Sequence, residues 1–273
     1  MQCNDGIFCN PAHRIDISIL CAGFFMKKDV LSLAMGLIMI FSLWLLMRHF
    51  LKPMDDLAVD AQAGAQEALN GESGTQQPDT DVYTIVIDPG HGGVDPGMLG
   101  VNNTVEKELN LAVSYMLKEE LENQGMTVVL TRTTDDGLYL ETDKNKKIAD
   151  MKKRCEIITE SDAQMVVSIH QNSFSDSNVC GAQVFYYKHS EKGKVLAQCI
   201  QESMKANVDP ANDRKIKAND SYYMLIHTPC PTVIVECGFI TNYEEAKLLV
   251  SEEYQKKVAQ AIALGIKDYI DKK

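Results

Sequence analysis

Three aliphatic runs in this chain end in a side chain that can bind a metal ion or move a proton. Thr84-Ile85-Val86-Ile87 leads through Asp88-Pro89-Gly90 to His91, Val166-Val167-Ser168-Ile169 to His170, and Val233-Ile234-Val235 to Glu236. The aliphatic residues suit buried strands, so each polar group is projected from a strand end, where open α/β sheets place their chemistry. Gathering several titratable groups in an apolar setting is costly unless an ion or a reaction uses them. Glu106 is a fourth candidate, at the start of a helical segment and beyond a glycine-rich loop able to fold back on His91. Two histidines and a carboxylate with an open position make a catalytic zinc set, and a further carboxylate outside it makes a general base.

Each residue also has a plainer reading. His91 suits a tight turn with its ring in solvent, and Glu106 is a favourable charge for the first turn of any helix. His170 leads into the polar Gln171-Asn172-Ser173 and is compatible with a surface loop. Glu236 resists such a reading, because a solvated charge does not follow from a buried Val-Ile-Val run. His189 and His227 lack a comparable setting, and no CxxC or HExxH offers another metal site.

The elements that must position these groups alternate. The pattern predicts strands at Thr84–Ile87, Met126–Thr131, Met165–Ile169, Gln183–Tyr187 and Val233–Val235. It predicts helices at Glu106–Gln124, Ile148–Glu160, Lys194–Asn207, Glu244–Val250 and Tyr254–Ile270. Gly125 is the stop of the first helix. The alternation predicts the fold class α/β, a single domain over residues 83–273 whose sheet is covered by helices on both faces.

Ahead of that domain, Val30 to Met47 is an uncharged run flanked by Lys27-Lys28 and Arg48, with Trp44 near one end. About 20 apolar residues span a bilayer, so the run predicts one transmembrane helix (30–47) within an anchor segment, 26–51. A cleaved signal peptide is the rival, but charged and bulky residues follow where small ones would be expected. Either way, the remainder of the chain is placed outside the cytoplasm. Residues 1–25 fit poorly before such a segment, and Met26-Lys27-Lys28 resembles a natural start. They are expected to be a mis-assigned extension or an unstructured tail. Residues 52–82, rich in Ala, Gln, Gly, Asp and Thr, read as a flexible tether. The formal charge of −11, with no basic stripe, argues against nucleic acid as a partner. Cys155, Cys180, Cys199, Cys230 and Cys237 are odd in number and lack a thiolate zinc spacing, so they read as small buried apolar residues.

Four stretches carry a resemblance. Ile87-Asp88-Pro89-Gly90-His91-Gly92-Gly93, Glu106-Lys107-Glu108-Leu109-Asn110-Leu111, Ser168-Ile169-His170-Gln171-Asn172-Ser173 and Val235-Glu236-Cys237-Gly238-Phe239-Ile240-Thr241-Asn242 occur in this order. Together they resemble the zinc-dependent N-acetylmuramoyl-L-alanine amidases of the amidase_3 type, over residues 83–271, which implies a mixed, mostly parallel sheet flanked by helices on both faces. The resemblance implies one zinc ion held by His91, Glu106 and His170, with Glu236 as catalytic acid/base. The substrate it implies is peptidoglycan, cut between N-acetylmuramic acid and L-alanine. Gly181–Tyr187, Lys217–Leu225, the single anchor and the lack of a wall-binding repeat further resemble the sporulation branch, whose members act in spore cortex. There the cut precedes muramic δ-lactam formation, and in clostridial relatives a lipoprotein partner helps to activate the enzyme. A general vegetative wall amidase is the alternative; a different zinc peptidase or deacetylase and a non-catalytic wall-binding protein are further ones.

Arg154 stands where the family tends to keep an arginine, and supports the site, meets substrate carboxylates or is a helix-surface charge. Asn172 and Tyr222 are further substrate-binding candidates, with Tyr223 and Leu225 as groove or core residues. Cys237 departs from the family's usual small residue; alternation turns it away from Glu236, so it reads as packing.

Overall fold

A computed structural model of the chain describes residues 82–273. Thr84–Pro89 forms β1, with every residue after Thr84 buried. The other strands are β2 (Thr127–Leu130), β3 (Met165–Asn172), β4 (Gln183–Tyr187), β5 (Lys217–Asn219) and β6 (Thr232–Phe239). They lie in one sheet in the order β2-β1-β3-β6-β4-β5. The β2, β1, β3 and β6 strands are mutually parallel; β4 runs antiparallel to β6, and β5 parallel to β4. The expected mixed, mostly parallel sheet is therefore present.

Helices α1 (Glu106–Glu122), α2 (Lys146–Glu160), α3 (Glu191–Asn207), α4 (Tyr223–His227), α5 (Tyr243–Leu249) and α6 (Glu252–Asp271) complete the domain. On one face, Ile85, Ile87, Val167, Ile169, Val233 and Val235 pack against α1, α3 and α6 through residues such as Leu117, Ile200 and Ile262. On the other, Val86 and Val166 pack against Ile158 of α2 and Met224 of α4, while Phe185 and Ile234 meet Leu225. Alternation along the strands puts Asp88, Ser168, His170 and Glu236 on this second face, beyond its apolar part. Helices thus cover both faces, as expected.

The chain leaves β1 toward β2 on one side and leaves β3 toward β4 on the other. Their C-terminal ends therefore flank a crevice at a topological switch point. His91 follows β1 and His170 lies near the end of β3, so the topology alone brings the two histidines together.

Three small elements escaped the pattern: a 3-10 turn at Val101–Asn103, β5 and α4. Each is five residues or fewer, too short for a periodic signal, and β5 is a polar edge strand. Helix α3 starts at Glu191, earlier than Lys194, because the Ser190 side chain caps Gly193 N. Cys199 and Cys237 are buried as expected. Cys180, expected to be buried, is exposed, and Cys155 and Cys230 are only half-buried. Cys180 sits in the loop before β4, where the backbone is tied by its carbonyl to Arg214 Nε and the thiol has no packing role. The 30–47 anchor, residues 1–25 and nearly all of the 52–82 tether lie outside the described residues. Among the described residues no helix is long and apolar enough to cross a membrane.

Helices α3 and α6 meet at Gly265, where an added Cβ would lie 2.6 Å from the Ile200 Cα and 2.9 Å from its nitrogen. Backbone cannot yield as a side chain does. Gly265→Ala is expected to destabilise the domain by about 1–3 kcal/mol, read as a lower urea midpoint. An unchanged midpoint would show that the two helices separate freely.

Candidate metal centre

The turn after β1 holds His91 in a backbone conformation that side chains avoid, with φ of 62°. The carbonyls of Pro89, Gly90 and His91 supply the restraint. Arg154 donates from Nη1 to the Pro89 oxygen (2.7 Å) and from Nη2 to that of His91 (2.5 Å). Arg132 donates from Nε to the Pro89 oxygen (2.9 Å) and from Nη2 to that of Gly90 (3.0 Å), which also accepts from Asn110 Nδ2. Glycine at position 90 is required by its neighbour, since a Cβ there would lie 2.3 Å from the His170 ring.

Arg154 is held in turn by Asp88. The Asp88 carboxylate accepts from Arg154 Nη1 (2.7 Å), Thr131 Oγ1 (2.6 Å) and Ser168 Oγ (2.6 Å), while Arg154 Nε reaches Asp150 at 2.5 Å. Burial pushes the Asp88 carboxyl up, but the Arg154 charge and the hydroxyl donors outweigh it and hold the group below the usual carboxylate range. Arg132 is lowered to about 10, by burial first and by the Arg154 charge second.

Glu106 enters from the first turn of α1 and meets both histidines. Its Oε1 lies 3.1 Å from His91 Nε2 and 3.1 Å from His170 Nδ1. Oε2 accepts from Met98 N (2.8 Å), and Oε1 also accepts from Gln171 N (3.2 Å). One ligand atom from each of the three residues lies within 4.8 Å of the other two. Burial raises the Glu106 carboxyl, yet the hydrogen bonds and charges of His170 and His91 carry it far below its ordinary value. His91 moves the other way: burial lowers it, but Glu106 and Asp95 raise it more. Asp95 Oδ2 holds the remaining ring nitrogen, Nδ1, at 3.1 Å, the arrangement by which carboxylates orient metal-binding imidazoles.

Glu236 lies beside His170 in the parallel β3–β6 register. Its Oε2 is buried and has no hydrogen-bond partner among the described residues. Burial raises its carboxyl to about 7, with His170 pulling down, Glu106 adding and His91 opposing. A cleft of about 380 Å³ opens over His91, His170 and Glu236.

The four residues singled out for chemistry are therefore brought together. Arg154 is 1% exposed, with Nε, Nη1 and Nη2 each bonded within the protein, so it supports the loop and is not a helix-surface charge; it also lines the cleft. Asn172 turns its Oδ1 to Ser173 N, and its carbonyl accepts from Ile240 N; it is not part of the cleft wall. Tyr222 and Tyr223 line the cleft, partly exposed, whereas Leu225 is core. Cys237 is buried among the apolar residues of the opposite face, its thiol pushed up by burial, in keeping with packing. His227 stacks on Tyr223, and His189 meets Tyr187 edge-on, both outside the trio.

Asp88, Asp95, Asn110 and Arg132 were not singled out in the sequence. For Asp88 a signal existed: a carboxylate directly after a run as apolar as Ile85-Val86-Ile87 demands a buried partner.

A family model described as N-acetylmuramoyl-L-alanine amidase matches residues 85–268. The chain is 37% identical over 193 residues to the germination-specific N-acetylmuramoyl-L-alanine amidase of Bacillus subtilis, covering 69% of this chain and 80% of that one. Among solved structures it is similar to the CwlD amidase of Clostridioides difficile, determined in complex with the GerS lipoprotein. That match has 44% identity and a TM-score of 0.68, over 70% of this chain and all of the other. A second is AmiC2 of Nostoc punctiforme, an N-acetylmuramoyl-L-alanine amidase, at 33% identity and a TM-score of 0.61, over 69% and 97% of the two chains.

Removing one member of a buried ion pair strands the other. Arg154→Gln is expected to cost about 3–5 kcal/mol in denaturant unfolding and to lower metal content, since the His91 carbonyl loses its donor. Wild-type stability and metal content in this variant would show that the loop holds itself.

Proposed function

The chain belongs to the Amidase_3 family and hydrolyses the bond between N-acetylmuramic acid and L-alanine in peptidoglycan, and from that premise we propose how its residues do so and where. His91, Glu106 and His170 hold one zinc ion, and Glu236 is the catalytic acid/base. The observation that carries this reading is the convergence of two imidazoles on one buried carboxylate, beside a second carboxylate whose Oε2 has no partner. Two neutral nitrogens and one anionic oxygen suit zinc, and three protein ligands leave room for substrate. When bound, the metal supplies Lewis acidity and lowers the pKa of water to about 7.

The rest of the reaction falls to the chain. Glu236 takes a proton from the water that attacks the lactyl carbonyl, and a carboxyl raised to about 7 both accepts and returns a proton near neutral pH. As the carbon–nitrogen bond breaks, the same carboxyl hands that proton to the alanine nitrogen, leaving a lactyl carboxylate and a free N-terminal alanine. Asp95 keeps the His91 ring turned toward Glu106, and the two arginines keep its backbone in place. Tyr222 and Tyr223 supply aromatic surface at the cleft for sugar or peptide. Asn172, which is not part of the cleft wall, takes no part in substrate binding in this reading.

The cortex of spores is the proposed setting, supported by the similarity to the germination-specific enzyme. The chain is tethered through residues 30–47 with the catalytic domain outside the cytoplasm. An activating lipoprotein is the proposed partner, in line with the complex formed by the similar clostridial enzyme.

Incubation with cortex peptidoglycan should release stem peptides bearing a new N-terminal alanine, detected by dinitrophenylation and mass spectrometry. New reducing ends, or peptides cut further along the stem, would assign a different hydrolase. Glu236→Gln is expected to lower turnover by roughly 10²–10⁴-fold with zinc retained. His170→Ala should lose the zinc itself, measured by atomic emission. Near-normal turnover in Glu236→Gln would remove the acid/base role.

A further inference from the structure

The cleft lining includes two lysines that amide hydrolysis does not require. Lys146 and Lys147 occupy the first turn of α2, which contains no acidic residue, and both line the cleft with His91 and Glu236. A helix N-terminus is the positive end of the helix dipole and disfavours cations, so helix stability does not account for the pair. Its surroundings are also contrary. The chain carries a formal charge of −11 and Asp88, Asp95, Asp150 and Glu236 line the same cleft, so a substrate bearing carboxylates meets repulsion except beside the cleft's cations. Glu236, whose Oε2 has no hydrogen-bond partner among the described residues, lines the same cleft.

Their present partners are exchangeable. Lys146 Nζ lies 2.7 Å from Glu141, whose side chain is 85% exposed, and surface pairs of that kind are weak. Lys147 Nζ lies 3.2 Å from Asp95, whose carboxylate is already engaged with His91. The position of Lys146 is nonetheless defined. Its Nζ lies over the Tyr139 ring at 5.1 Å, and the Tyr139 hydroxyl accepts from Val94 N in the loop beyond His91.

We propose that Lys146 and Lys147 form a carboxylate subsite that reads the residue following the released alanine. The inference rests on the amidase reading and adds a specificity to it. In an acidic stem peptide, a second residue linked through its side chain leaves its α-carboxylate free, unless that group is amidated. The two lysines favour the free carboxylate over the neutral amide.

The test compares N-acetylmuramoyl-L-alanyl-D-glutamate with N-acetylmuramoyl-L-alanyl-D-isoglutamine, which differ only in that group. Binding to the full-length, zinc-loaded Glu236→Gln protein is measured by titration calorimetry, so that no turnover is needed. The glutamate compound should bind roughly three- to tenfold more tightly at low salt, with the preference fading at about 1 M salt. Lys146→Met should reduce the preference, and the double variant with Lys147→Met should abolish it by weakening the glutamate compound alone. Equal affinities in the parent, a preference that survives the double substitution, or no binding of either compound would overturn the subsite. Failure of the amidase reading is separately visible, as absence of alanine-ended peptides from peptidoglycan treated with wild-type protein.

Discussion

Two buried arginines gripping three consecutive carbonyls set the geometry on which the site depends. Pro89, Gly90 and His91 turn sharply at the end of β1, and their oxygens are the anchors of that turn. An arginine cannot enter such a place without an anion, and Asp88, one residue before the turn, supplies it from inside the sheet. Thr131 on the segment after β2 and Ser168 on β3 complete the carboxylate's hydrogen bonds. Buried ion pairs of this kind add little net stability, because the cost of desolvation offsets much of the attraction. What they fix here is direction: a histidine with positive φ whose ring is aimed at Glu106.

The sheet order explains why these residues can meet at all. Crossovers that leave β1 and β3 in opposite directions open a crevice between them, and the neighbouring β6 brings Glu236 alongside His170. One face of the sheet is filled by aliphatics and three long helices. The other is only partly covered by α2 and α4, which leaves its C-terminal end for polar groups and a cleft. His91, Glu106, His170 and Glu236 therefore come from four different parts of the fold and meet at the C-terminal ends of the strands.

Most of this was legible in the chain because strands with long aliphatic runs announce themselves, and a titratable residue at the end of such a run has few structural uses. His91, His170 and Glu236 were readable on that basis. Glu106 was ambiguous from its own surroundings, since a first-turn carboxylate is common, and only the resemblance assigned it to the metal. The supporting shell was harder to see. Arg132 and Asn110 act through backbone carbonyls close to 20 or more residues away, and such partnerships leave no local pattern. Arg154 carried two opposite expectations, surface or site, and burial decided between them. Helix α4 and strand β5 were unreadable because neither is long enough to show a period.

The most direct test of the account is zinc-edge anomalous diffraction from crystals of the zinc-loaded protein. The account predicts one strong peak in the catalytic domain, bounded by the imidazoles of His91 and His170 and the carboxylate of Glu106, with Glu236 close by but not coordinating. A peak coordinated by Glu236 in place of Glu106, or lying away from this trio, would contradict it.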